Sequence, residues 1–210
     1  MIADVVFDLP LDRSFSYRVP PDLPSRITVG QRVRAPLQRR PRVGVVVALR
    51  DGIGDSLESL LDLVDPVGLL SPVLVELTRR VANESLSSWG SACAAFLPPP
   101  TPGRQSFQAP PVSRGNPPSE NPMSPILLSG GDREEVLLTR LQSEARQAGI
   151  LLVTPEIEDA EAWAGRLDTA LGSTPLRLHS GRPEGERYAS WIQLALGDAR
   201  VAVTTRARLL

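Results

Sequence analysis

Apolar side chains recur at every second position in three places near the N-terminus: Phe7, Leu9 and Leu11; then Phe15, Tyr17 and Val19; then Val33, Ala35 and Leu37. Alternation with that period predicts half-buried strands, and the apolar run from Val43 to Leu49 belongs with them. Pro and Gly punctuate the segments, so the expected product is a small, mostly antiparallel sheet or barrel. The period then lengthens. Ser71 and Pro72 form an N-cap and first-turn pair, and Leu74, Leu77 and Val81 follow at helical spacing. Trp89, Cys93 and Phe96 mark the apolar face of a second short helix, which makes Cys93 a packing residue.

From residue 126 onward strands and helices alternate. Ile126–Leu128 reads as a short strand, followed by a helix with Val136, Leu137, Leu141, Ala145 and Ala148 on one face, stopped by Gly149. Ile150–Val153 is a strand. A helix over Ala162–Leu171 ends at Gly172, Leu176–Leu178 is a strand, and a helix carrying Trp191, Leu194 and Ala195 ends at Gly197. Arg200–Val203 is the last strand. This order predicts a parallel α/β sheet, whose ligands sit at the loops after the strand C-termini. Those loops are Ser129–Asp132, Thr154–Glu156, His179–Gly181 and Thr204–Arg206.

Between the two regions, residues 98–125 hold ten prolines in 28 positions, the composition of an extended linker. The expected organisation is therefore a β-rich domain over 1–97, a linker over 98–125 and an α/β region over 126–210. The start of the chain, with Asp4 and Asp8 and no basic stretch, does not read as a signal peptide. No window reaches the roughly 18 apolar residues of a membrane span, so a cytoplasmic protein is expected.

Net charge is −1, which hides a segregation. Arginines 26, 32, 34, 39, 40, 42 and 50 fall in a stretch without an acid, and five acids without an arginine follow between Asp51 and Asp65. Guanidinium forks match phosphate oxygens, so the arginine stretch is either a solvated face or a contact for a nucleic-acid backbone. All 23 basic residues are arginine. Without a lysine there is no P-loop lysine, and with one cysteine there is no multi-cysteine zinc site.

The loop Ser129-Gly130-Gly131-Asp132-Arg133-Glu134-Glu135 lies where a nucleotide-binding domain places its phosphate cradle. It is too short to wrap a triphosphate, and three carboxylates crowd the anion's position. Asp132 and Glu135 have the spacing of a capping box. The only histidine, His179, has no second histidine with which to build a zinc site and reads as a structural hydrogen-bonding residue.

Taken in order, these segments resemble the PriA family of bacterial primosomal helicases, which act in replication restart. Leu9-Pro10, Arg13, Phe15, Tyr17, Val19-Pro20, Gly30–Arg34, Pro36 and Gly44–Val46 are similar to that family's 3′-DNA-end-binding domain. Pro155-Glu156-Ile157 resembles helicase motif Ia and Thr205-Arg206 motif Ib. His179-Ser180-Gly181, with Glu186-Arg187 and Trp191, resembles a family stretch between them. The resemblance implies a small mostly-β DNA-binding domain with two helices, followed by a partial RecA-like parallel α/β helicase lobe.

It also implies a site. Phe15 and Tyr17 would offer an aromatic surface, and Arg32, Arg34, Arg39 and Arg40 phosphate contacts. Pro155, Glu156, His179, Ser180, Thr205 and Arg206 would track a single strand, with Gly130, Gly131 and Arg133 as a degenerate nucleotide loop. The family's F-D-Y and P-F-G, tied to the 3′-terminal nucleotide, read here Phe15-Ser16-Tyr17 and Pro36-Leu37-Gln38. Up to Leu210 there is no D-E-x-H box, zinc insertion or second motor lobe.

The expected protein is a DNA-binding, nucleoid-associated member of the restart machinery that grips forked or 3′-ended DNA without catalysis. ATP, magnesium and zinc are not expected as cofactors. Single-stranded-DNA-binding protein and helicase-loading primosome proteins are the expected partners. Two other readings stand beside it: residual ATPase or helicase activity through Arg133 and the glycines, and a pure protein-interaction module.

Overall fold

The structure is a computed structural model that describes residues 1–23, 27–52, 54–98, 126–145 and 148–205. The chain divides into two compact units.

In the first unit, β1 (Ile2–Phe7), β2 (Phe15–Arg18), β3 (Arg32–Leu37), β4 (Arg40–Arg50) and β5 (Asp62–Leu63) form one antiparallel sheet in the order β2-β1-β4-β3-β5. Ala3, Val5, Phe7, Tyr17, Val33, Ala35, Leu37 and Val46 build one core. Val6 and Val45, on the other face of the sheet, pack with Leu70, Val75 and Cys93 beneath two helices, α1 (Pro72–Ser85) and α2 (Trp89–Ala95). The continuous apolar runs in β1 and β4 follow from burial on both faces, whereas β2 and β3 are covered on one and alternate.

The sequence placed the first strand too late. Phe7, Leu9 and Leu11 do alternate, but only Phe7 is in a strand. The amides of Leu9 and Leu11 donate to Phe7 and Leu9 carbonyls two residues back, at 2.8 and 2.7 Å, and Leu11 is exposed. Pro10 has no N–H to continue a ladder, and i→i+2 turns take its place. In α1 the Ser71 cap forms as expected, its hydroxyl accepting from the Leu74 amide at 3.3 Å. The buried face is Val75, Thr78 and Ala82, one step round from Leu74, Leu77 and Val81. Cys93 is fully buried with its Sγ 3.3 Å from Thr78 Oγ1, and burial pushes its thiol pKa up, so it packs and does not react.

Two features fix the shape of this domain. The β3–β4 hairpin turns through Gln38 and Arg39, both left-handed at φ 52° and 64°, the geometry that matches strand twist but suits Gly or Asn better. On the helix-covered face, Gly90 lets α2 lie directly on β1, where an added Cβ would overlap the Phe7 carbonyl.

The second unit holds β6 (Ile150–Thr154), β7 (Leu176–Arg177) and β8 (Val201–Thr205), parallel in the order β6-β8-β7. Helices α3 (Arg133–Glu144), α4 (Ile157–Leu171) and α5 (Glu184–Leu196) complete the alternation read from the sequence. Gly172 and Gly197 end α4 and α5 in the left-handed conformation, as their positions suggested. Ala160, Ala164 and Leu167 of α4 pack on Val201 and Val203, with Ile150 and Leu152 of β6 against them.

Three expectations for this unit do not hold. Ile126–Leu128 is not a strand, and Ile126 and Leu127 are 57% and 91% exposed. With β8 already paired on both sides, only the sheet's outer edges remain, and this segment joins neither. The α3 helix turns Leu138, Leu141 and Ala145 inward and leaves Val136 and Ala148 outside. The α5 helix does carry Trp191, Leu194 and Ala195, half-buried, and ends at Gly197 as expected, and its buried side chains are Arg187, Tyr188 and Ile192. Asp132 makes no side-chain cap bond, so the capping box is not formed; Glu134 in the same turn pairs with Arg166 at 2.6 Å.

The close approach at Gly90 yields a test. Gly90→Ala should lower the unfolding free energy by about 1–3 kcal/mol or more, as overpacking does, and thermal unfolding followed by circular dichroism reads it. A variant as stable as the parent would mean that α2 does not rest on β1 in this way.

Candidate nucleic-acid interface

The arginine stretch and the acidic stretch meet in three dimensions. Arg32 on β3 is 4% exposed. Its Nε and Nη2 donate to Asp65 Oδ2 and Oδ1 at 2.7 Å each, and its Nη1 donates to the Pro98 carbonyl at 2.7 Å. Asp65 also accepts from the Arg32 amide, and its own carbonyl accepts from Gln31 Nε2 at 2.8 Å. Arg34 pairs with Asp62 at 3.0 Å through the β3–β5 register. Arg50 makes a two-pronged bond to Asp4, at 2.8 and 2.7 Å, and reaches Ser16 Oγ, which itself donates to Asp4 Oδ1 at 2.7 Å. The hydrogen bond from Arg50 holds the Asp4 carboxyl below its usual range. Three of the seven arginines are thus bound to acids inside the domain, and Arg26 lies outside the described residues.

The remaining three, Arg39, Arg40 and Arg42, occupy the β3–β4 hairpin. All are exposed, and among the described residues none makes a side-chain hydrogen bond or ion pair. Arg42 was not among the residues singled out as contacts, although its spacing from Arg40 along a strand was visible in the sequence. Asp8 and Asp12 follow β1 at the same end of the sheet. The first is bonded by the Ser91 hydroxyl, the second by Arg79 and the Trp89 amide.

The aromatic pair divides. Tyr17 is 3% exposed, with its hydroxyl donating to the Pro36 carbonyl at 2.8 Å and its ring edge-on to Phe7. Burial pushes its phenol up to about 12. It holds the sheet together and offers no stacking face. Phe15 is half-buried, edge-on to Phe7 at 5.7 Å, and the Arg13 guanidinium sits 4.6 Å from its ring centroid.

In the second unit Gly130, Gly131 and Arg133 are exposed at the start of α3, where Glu134 and Glu135 occupy the first turn. Thr154, Thr205 and His179 lie together at the C-terminal ends of the parallel strands, but as buried groups. His179 has its Nε2 3.1 Å from Glu161 Oε1, which shares its other oxygen with Arg177 Nε at 2.8 Å; neither ring nitrogen is well aligned for a hydrogen bond. His179 and Thr205 therefore do not present themselves to a nucleic-acid strand. Pro155, Glu156 and Ser180 are exposed, and Arg206 lies outside the described residues.

The first unit is thus a closed antiparallel domain with a cationic hairpin at one end, and the second a small parallel α/β unit. Residues 4–98 match the family model of the PriA 3′ DNA-binding domain. The chain is similar to the replication restart protein PriA of Bacillus subtilis, 31% identical over 102 residues, which are 46% of this chain and 13% of that protein. It is also similar to the replication restart protein PriA of Treponema pallidum, 28% identical over 102 residues, 45% of this chain and 16% of that protein. The N-terminal portion of this chain is thus similar to the 3′ DNA-binding domain of the PriA family.

Two measurements probe this chemistry. Arg32→Ala leaves Asp65 buried without its partner and should cost about 3–5 kcal/mol of stability in chemical denaturation; a loss under 1 kcal/mol would contradict the buried pair. The Tyr17 phenol has a folded pKa above its unfolded value near 10, so its contribution to stability is complete below about pH 10 and fades as pH rises toward 12. Ultraviolet titration should show a late tyrosinate phase near pH 12 that Tyr17→Phe removes. A Tyr17 phase near pH 10 would contradict it.

Proposed function

We propose that this chain is a DNA-binding protein of replication restart, acting on forked or 3′-ended DNA through its first unit and without helicase activity. The observation that carries this reading is the match of residues 4–98 to a 3′ DNA-binding domain, over a segment that folds as a complete five-stranded sheet with its two helices. The relatives bear the name of replication restart proteins, and this chain aligns with 13% and 16% of their length.

The second unit is read as a partial RecA-like lobe whose nucleotide loop no longer works. Strand order, the positions of α4 and α5, and the resemblance of Pro155–Ile157 and Thr205-Arg206 to helicase motifs support that reading. The absence of lysine and the acidic first turn of α3 argue against triphosphate binding there. Single-stranded-DNA-binding protein and the helicase-loading proteins of the primosome are the partners this role would require.

Binding of fork DNA with free and with blocked 3′ ends, each with and without ATP, tests the proposal. The expected result is binding that favours the free end, weakens steeply with salt, ignores ATP and comes with no ATP turnover. No binding at low salt would overturn it. So would ATP turnover that disappears in Arg133→Ala.

A further inference from the structure

The sequence offers seven arginines as one basic stretch, and the fold sorts them. Arg32, Arg34 and Arg50 have acid partners at 2.7, 3.0 and 2.7 Å. Arg32 and Arg50 are held in both prongs and Arg34 by one bond to Asp62, and each has to give up its carboxylate before it can take a phosphate, so these three are poorer candidates for a nucleic-acid contact. Arg39, Arg40 and Arg42 carry no such partner among the described residues, and the acids that follow β1 at this end of the sheet are bonded elsewhere.

Their arrangement is defined by the hairpin. Arg40 pairs with Leu37 and Arg42 with Ala35, so both side chains leave β4 on the same face. Two residues along a strand place them about 7 Å apart, a spacing suited to neighbouring phosphates on one nucleic-acid strand. Arg39 stands at the turn itself, in a left-handed conformation that other residues take more easily. The same face continues inward through Gly44, under the Phe7 ring, to Val46 in the core, so the two arginines extend a rigid row and do not hang from a loop.

We infer that Arg39, Arg40 and Arg42 form a clamp for the sugar–phosphate backbone, contacting successive phosphates of one strand without reading bases. Arg32, Arg34 and Arg50 serve the fold. This rests on the DNA-binding reading above and assigns it to a place. Both single strands and duplexes display such phosphates, and the experiment separates them.

The full chain is titrated with a fluorescent single-stranded oligonucleotide, and in parallel with its duplex, over a series of salt concentrations. The variants are Arg40→Gln with Arg42→Gln, the same pair with Arg39→Asn (an asparagine tolerates the left-handed turn), Arg34→Gln, and Arg18→Gln. Arg18 is exposed at the opposite end of the sheet and controls for loss of charge alone. Each lost phosphate contact should reduce the slope of log affinity against log salt by about 0.7 on single strands and 0.9 on duplex. The triple variant should therefore lose about 2–3 units of slope and bind at least tenfold more weakly, with thermal unfolding unchanged. Arg34→Gln and Arg18→Gln should keep the parental slope. The oligonucleotide on which the slope falls identifies the form gripped. If the parent binds and the triple variant keeps its slope, the clamp is wrong while the DNA-binding reading stands. The same holds if Arg18→Gln lowers the slope as much. If the parent binds neither DNA at low salt, both fall.

Discussion

The buried pair between Arg32 and Asp65 ties the N-terminal domain together. It links the start of β3 to the segment after β5, and through the Pro98 carbonyl to the end of the domain. Removing two charges from water is expensive, and such a pair holds only with good geometry and further hydrogen bonds for the remaining donors. Both conditions are met: the fork is two-pronged, a third nitrogen reaches a carbonyl, and Gln31 braces the Asp65 backbone. Asp65 and Asp62 are thus the internal counter-charges of Arg32 and Arg34, and Asp4 is that of Arg50. Among the described arginines of that stretch, Arg39, Arg40 and Arg42 of the hairpin are the ones without an acid partner.

Much of this was legible in the sequence, and the failures have physical causes. The strands over 15–19, 33–37 and 43–49, the Ser71 cap and the burial of Cys93 follow from local periodicity and capping chemistry, and the structure has them. Ile2–Phe7 was missed because a strand buried on both faces has no alternation to display, while the unrelated spacing of Phe7, Leu9 and Leu11 imitates one. Arg32 and Tyr17, expected as contacts, are buried in the structure, and the reason is different. Whether a guanidinium or a phenol faces solvent depends on partners such as Asp65 and Pro36, and pairings at that range leave no periodic trace.

The α/β unit shows the same division. Glycines after α4 and α5 and the parallel strand order were readable because they are local signals. The short apolar segment Ile126–Leu128 was not distinguishable from a strand by composition, since three apolar residues carry no period. Its absence from the sheet also removes the strand after which a phosphate cradle would normally stand. The loop at Gly130 and Gly131 then opens an exposed helix with two acids in its first turn. Of the groups at the strand ends, His179, Thr154 and Thr205 are used for packing and internal polar contacts, leaving Pro155, Glu156 and Ser180 outside.

On this account DNA meets the chain at the arginine hairpin, while Arg32, Arg34 and Arg50 of the same domain are held by acids. Backbone amide chemical shifts of the isotope-labelled chain, recorded while a single-stranded oligonucleotide is added and then Mg-ATP, test it residue by residue. The account predicts saturable shifts centred on Leu37–Val43, little change around Asp65 and Arg50, and no response of Gly130–Arg133 to the nucleotide. Shifts that bypass the hairpin and gather at Gly130–Arg133 on ATP addition would contradict it.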